Sequence, residues 1–423
     1  MDTGSGGRKA TLAHATGARP TLAGMSTPRS RLHPRLDGLG TTVFAEMTEL
    51  AQRTGAINLG QGFPDTEGPA SVVEAAVAAL RAGHNQYAPG PGVPALRAAV
   101  AEHQRRFYGI ELNPDREVLV TVGATEAIAA SVLAVAGPGD EVVAFEPYYD
   151  SYAATIAMAG AQRVPVTLRP PDFAVDLDAL RAAITPRTRA VLVNCPHNPT
   201  GAVFSPEELA GIARVCVEHD LVAISDEVYE HLSYERPHTP LTTYPGMAER
   251  TITIGSAGKT FSFTGWKVGW ATGPAPLVDA VRTTKQFLTY VGPAPLQLAV
   301  AEALALPDAW YSSFTDEMRA KRDLLSKGLA AAGFAVLAAQ GTYFVVADAA
   351  PLGFEHGVDL CRRLPELAGV VAIPCSVFYD DAEAGRSLVR FACCKRDEGL
   401  EEAARRLAGL GAAAGRAARR DGS

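Results

Sequence analysis

The chain predicts an α/β fold: a mostly parallel sheet covered by helices, followed by a smaller α+β domain. Two observations carry this expectation. Short, almost wholly apolar runs alternate with helix-like stretches from about Ser71 onward, and strands buried on both faces read as continuous apolar runs. From about residue 305 the alternation gives way to one long helix-like stretch and then to further strands and helices, the pattern of a separate α+β unit.

The helix-like stretches of the first pattern are Val72–Leu80, Ala95–Phe107, Glu126–Ala136, Glu207–Glu218 and Leu277–Leu288. The strand-like runs are Val118–Val122, Glu141–Phe145, Ala190–Val193, Leu221–Ser225 and Thr251–Ile254. Together they predict a large domain over residues 64–304. The second pattern holds Ala309–Ala332, Gly341–Val346, Leu388–Ala392 and a last helix near Glu398–Leu407. It predicts a small domain over 305–408, joined by 31–63, which precede the sheet pattern. Residues 1–30 are rich in Ala, Gly, Thr, Ser and Arg without an apolar stretch. A disordered leader is expected there, and a secretory signal is not. Met25 is a candidate start, and residues 409–423 predict a flexible tail.

A chain of 423 residues can bury a large core. Its net charge of −7, with no dense Lys/Arg stripe in the body, argues against nucleic acid or an anionic membrane as partner. No apolar run reaches the roughly 18 residues that a membrane-spanning helix needs. The six cysteines form no CxxC pair. They suit a reducing cytoplasm, and no metal site is expected.

In parallel sheets ligands bind outside the carboxyl ends of the strands, so the residues after each apolar run belong together. These are Gly123-Ala124-Thr125, then Glu146 to Tyr149, Asn194 to Gly201, Asp226 to Tyr229, and the segment Ser256–Trp270. In the last of these Lys259 stands among Ser, Gly and Thr. A lysine at the end of a buried strand is a candidate for Schiff-base chemistry; a loop lysine is the plain alternative.

Pyridoxal phosphate asks four things of a protein: an amine, an anion site, a carboxylate near its pyridine nitrogen and a flat face. Lys259 offers the amine. The helix start at Gly123–Thr125 offers the anion site, with Ser256 and Lys267 beside it; a simple N-cap by Thr125 is the alternative. Asp226 offers the carboxylate, against a capped turn. Tyr229 and Asn198 offer partners for the ring oxygen, against a packed tyrosine and an Asn-Pro turn. Tyr149 offers the face, against core packing.

The pieces LGQGFPD (59–65), QYAPGPG (86–92), NCPHNPTG (194–201), SDEVYEHL (225–232), SAGKTFSFTGWKVGW (256–270) and LVRFACCK (388–395) resemble the class I/II aminotransferases of fold type I. The likeness runs in order from about Leu36 to Leu407. Within the family it is nearest to the actinobacterial N-succinyldiaminopimelate type, and next to the kynurenine/glutamine and methionine types. The resemblance implies that Lys259 carries the cofactor and that Asp226 pairs with its ring nitrogen. It implies that Asn198 and Tyr229 contact the ring oxygen, and that Ala124, Thr125, Ser256 and Lys267 hold the phosphate. Arg390 would grip the substrate α-carboxylate as a bidentate fork, with Gly62 bringing backbone close to the substrate. Tyr87 would reach the phosphate of a neighbouring subunit, so a homodimer with shared sites is expected.

Lys267 departs from the arginine that many of these enzymes carry, so a point charge replaces a fork. No counterpart is evident for the arginine with which aspartate aminotransferases grip a side-chain carboxylate; Phe287 and Tyr290 stand in that region. The implied reaction moves an amino group between an amino acid and a 2-oxo acid in two half-reactions, with N-succinyl-LL-2,6-diaminopimelate the first substrate expected. A kynurenine-, glutamine- or methionine-type enzyme and a C–S β-lyase are the rivals. A cofactor-binding transcription module would need a basic DNA-binding domain in front, for which the first 35 residues are too short.

Overall fold

A computed structural model of the chain describes His33, Arg35 and residues 42–410. The expectations for the leader 1–30, for Met25 and for the tail after Leu410 lie outside the described residues.

Strands are numbered along the chain. β2 (Val118–Val122), β3 (Glu141–Glu146), β4 (Gln162–Thr167), β5 (Thr188–Asn194), β6 (Val222–Asp226), β7 (Thr251–Ser256) and β8 (Val268–Thr272) form one seven-stranded sheet. Its order in space is β2-β8-β7-β6-β5-β3-β4. Strands β4, β3, β5, β6 and β7 run parallel, and β8 lies antiparallel between β7 and β2. A second, antiparallel sheet has the order β12-β13-β10-β9, from Ile373–Pro374, Leu388–Ala392, Phe344–Asp348 and Ala335–Val336. β1 (Ile57–Asn58) pairs in parallel with β11 (Val370–Val371).

The apolar runs are strands because both of their faces are covered. Along β5, Val191 and Val193 join one core while Ala190 and Leu192 join another. Ile224, Ile252 and Ile254 are fully buried on the second side. Truncating one of them to alanine costs about 2–5 kcal/mol.

Two strands of the seven-stranded sheet have no counterpart among the expected runs. β4 reads Gln-Arg-Val-Pro-Val-Thr and is largely half-exposed. It sits at the sheet edge, where a proline without an N–H is tolerated. β8 lies inside the lysine-bearing segment. Its Gly269 faces Gly123: a Cβ there would fall 2.6 Å from the Gly123 carbonyl carbon, so no side chain fits.

The helix expected from Glu126 spans Gly123–Val135 and opens on Gly123 at φ +70°. Its N-cap, Val122, offers no side-chain hydrogen bond, so Thr125 lies in the first turn and is not the cap.

Candidate active site

Helices pack along the sheet, and the carboxyl ends of β5, β6 and β7 bring Asn194, Asp226 and Ser256 to one edge. β8 runs back beside β2 and brings Lys267, the residue just before it, against Gly123: the amine nitrogen lies 3.2 Å from where a Gly123 Cβ would stand. Gly123, Ala124, Thr125, Ser256, Lys259 and Lys267 line one small cavity of about 90 Å³. The uncapped first turn of the helix turns free N–H groups toward it.

Lys259 follows β7 in the one-turn helix Ala257–Thr260, which Ser256 caps by accepting from the Gly258 N–H at 3.1 Å. Its amine donates to the Gly62 carbonyl at 3.5 Å and lies 5.7 Å from the ring centres of both Tyr229 and Tyr343. Burial, reinforced by Arg390 and Lys267, lowers the amine pKa to about 8. Gly62 also accepts from the Tyr343 hydroxyl at 2.7 Å. A Cβ on Gly62 would meet the Phe344 ring at 2.5 Å, so the carbonyl reaches the amine only because no side chain stands there.

Asp226 ends β6 and is buried. Its carboxylate accepts from the Tyr152 hydroxyl at 2.6 Å and the Val228 N–H at 3.3 Å. Burial pushes its pKa up to about 6 despite these donors. The Asn194 side chain braces the edge: its amide donates to the Asp226 carbonyl at 2.9 Å and its oxygen accepts from the Asn198 N–H at 2.8 Å.

Arg390, on β13, is buried and forms no salt bridge among the described residues. It donates to Asn198 Oδ1 at 2.9 Å and to the Gly60 carbonyl at 3.0 Å, and its Nε has no partner among the described residues. The guanidinium carbon lies 4.0 Å from the Phe344 ring centre. Burial lowers the Arg390 pKa. Tyr229 is buried edge-on to Tyr343, 5.3 Å between ring centres, and burial raises its phenol pKa. Tyr149 stands just before the helix Asp150–Ala159, without a side-chain capping bond, and lies 5.7 Å from the ring of Tyr152.

Tyr87 stands apart from these residues. It is 81% exposed and packs edge-on to Tyr290. The residues that sequence reasoning missed are Tyr152, Asn194 as a brace, and Tyr343. Tyr343 lies in a Gly-Thr-Tyr-Phe segment next to β10, and Tyr152 stands one helical turn after Tyr149; neither spacing marks a site by itself.

Residues 54–407 match the sequence family described as aminotransferase class I and II. The chain belongs to this family. The aminotransferase is 55% identical over 392 residues to the Mycobacterium tuberculosis protein named probable N-succinyldiaminopimelate aminotransferase, across 90% of this chain and 98% of the relative. It is 40% identical over 374 residues to methionine aminotransferase of Escherichia coli, across 88% of this chain and 97% of that one. The solved structure of N-succinyldiaminopimelate aminotransferase from Mycobacterium tuberculosis matches with a TM-score of 0.87 at 56% identity, over 89% of this chain and 99% of that one. The fold is therefore that of the fold type I enzymes, and the cofactor is pyridoxal phosphate, on which the family depends.

The residues present fit that cofactor. Asp226 is a buried carboxylate whose hydrogen bonds come from neutral donors, so a protonated ring nitrogen is the partner its raised pKa calls for. The small cavity joins free helix N–H groups to the Lys267 amine, a donor set for phosphate.

Proposed function

We propose that this aminotransferase interconverts N-succinyl-LL-2,6-diaminopimelate and N-succinyl-2-amino-6-oxopimelate, with 2-oxoglutarate and glutamate as the second pair. The 55% identity across 90% of the chain to the Mycobacterium tuberculosis protein carries this reading. The 40% identity to a methionine aminotransferase supports, less strongly, a broader enzyme acting on methionine, glutamine or kynurenine. A C–S lyase would use the same residues. The test is a panel of these amino donors with 2-oxoglutarate as acceptor. The succinylated donor should give the highest kcat/KM; if it gives the lowest, the substrate reading is wrong.

In this reading Ala124, Thr125, Ser256 and Lys267 would hold the phosphate, and Asp226 the ring nitrogen. Asn198 and Tyr229 would hold the ring oxygen, Tyr149 would face the ring, and Lys259 would take the aldehyde carbon. When bound, pyridoxal phosphate supplies an electron sink for negative charge developing at the substrate α-carbon. Arg390 binds the substrate α-carboxylate; its Nε, without a partner among the described residues, and its position against Asn198 and Gly60 support this. The amine of Lys259, lowered to about 8 by burial, is partly neutral near physiological pH and serves as the base that removes and returns the α-proton.

The separate seven- and four-stranded sheets, with β1 paired to β11, support a large domain over 64–304 and a small domain from 31–63 and 305–408. Tyr87, 81% exposed and packed on Tyr290, and Phe287, 82% exposed, are apolar surface that a second copy would cover. We assign a homodimer in which Tyr87 reaches the partner's phosphate site. Six unpaired cysteines support a cytoplasmic setting.

A further inference from the structure

We propose that the cavity beside Tyr149 is the subsite for the far end of a long acidic amino acid, and that Arg362 reads the distal carboxylate there. The proposal rests on the substrate reading above and adds a specificity-determining residue to it. The cavity holds about 770 Å³ and lies between the helix Val43–Thr54, the start of the helix Asp150–Ala159 and the helix Gly357–Ala368. A volume in this range encloses a molecule well beyond the size of glutamate.

Three aromatic rings, Phe44, Tyr149 and Phe378, form part of its wall. Two of them also pack on Arg390, whose guanidinium carbon lies 5.2 Å from the Phe44 ring centre and 5.1 Å from that of Phe378. One layer of rings therefore separates the buried guanidinium from the cavity. A substrate held by its α-carboxylate at Arg390 enters the cavity when its side chain is long enough to pass that layer. Glutamate is short; a diaminopimelate skeleton is not.

Among the described residues, Arg362 is the one basic residue on the cavity lining. Its nearest acid is Glu46, with Nε to Oε1 at 3.9 Å, and the two side chains are 62% and 54% exposed. That spacing is the outer limit of an ion pair, so the guanidinium is held loosely. It makes no hydrogen bond among the described residues, and its donors are free for a bidentate contact. Glu46 and Asp150 also line the cavity. Without Arg362 they would repel an acidic chain end, so the arginine decides whether such an end is accepted.

The test follows half-reactions of the holoenzyme by cofactor absorbance. Its probes are L-2-aminopimelate, the uncharged L-2-aminoheptanoate and the succinylated diaminopimelate. The wild type should favour aminopimelate over aminoheptanoate by about tenfold in kcat/KM. Arg362→Leu should erase this preference by raising KM for the acid, with kcat held within about twofold and aminoheptanoate unchanged. Arg362→Lys should restore part of it. A wild type without the preference, or an Arg362→Leu enzyme that slows both substrates equally, overturns the proposal. If aminopimelate follows the expected pattern but the succinylated compound is not turned over, the substrate reading falls and the Arg362 assignment stands.

Discussion

The hydroxyl of Tyr152 donates a 2.6 Å hydrogen bond to Oδ2 of Asp226, with both side chains buried. The bond favours the charged carboxylate, against burial, which pushes Asp226 up to about 6. Tyr152→Phe should therefore raise the Asp226 pKa further and weaken its hold on a positive ring nitrogen. We expect kcat to fall roughly tenfold and the cofactor to be lost faster on dialysis, the scale of one hydrogen bond to a charged group. Cofactor affinity equal to wild type would show that Tyr152 is only packing.

Lys259→Ala removes the amine that faces the Gly62 carbonyl and the rings of Tyr229 and Tyr343. The variant should lose the imine absorbance of the holoenzyme and nearly all turnover. Rapid transamination by this variant would contradict the assignment of Lys259.

The stability of the apoprotein should depend on pH through both groups, with opposite signs. Asp226 moves from 3.8 to about 6 on folding, so within that window the folded protein binds more protons and the contribution of Asp226 falls as pH rises. Lys259 moves from 10.5 to about 8, so there the unfolded chain binds more protons and its contribution grows with pH. Thermal midpoints of apo wild type, Asp226→Asn and Lys259→Met across pH 4–10 would separate the two. Asp226→Asn should flatten the acid slope and Lys259→Met the alkaline one; slopes identical to wild type would refute both shifts.

Arg390→Lys keeps the charge but loses the planar fork that donates to Asn198 and Gly60. Steady-state kinetics should show kcat/KM falling about 100-fold for every amino acid substrate, most of it in KM. A loss confined to long acidic substrates would move the α-carboxylate site elsewhere. The variant also leaves at least one acceptor unpaired in a buried setting, at a cost of about 1–3 kcal/mol in stability.

The central strands were legible because a strand covered on both faces has no room for polar alternation. Asp226 was legible because a charged residue straight after such a run has to be accounted for, and Lys259 because it is a lone charge among Ser, Gly and Thr a few residues past another. β4 was illegible because an edge strand keeps polar and half-exposed positions, and β8 because Gly269 and its neighbours are chosen by the approach of Gly123. Tyr152 and Tyr343 carry no local mark. Their roles come from long-range contacts, such as the hydroxyl of Tyr343 meeting the carbonyl of Gly62, 281 positions earlier.

Arg390 meets Gly60 across 330 positions and Asn198 across 192. During synthesis, Asp226 and Lys259 leave the ribosome long before the guanidinium does. A chain that ends before β13 carries Asp226 and Lys259 but lacks Arg390, the residue proposed to seat the substrate. With Arg390 in the proposed role, transamination needs the strand Leu388–Ala392 in place, and a copy that stops short of it would have no seat for a substrate.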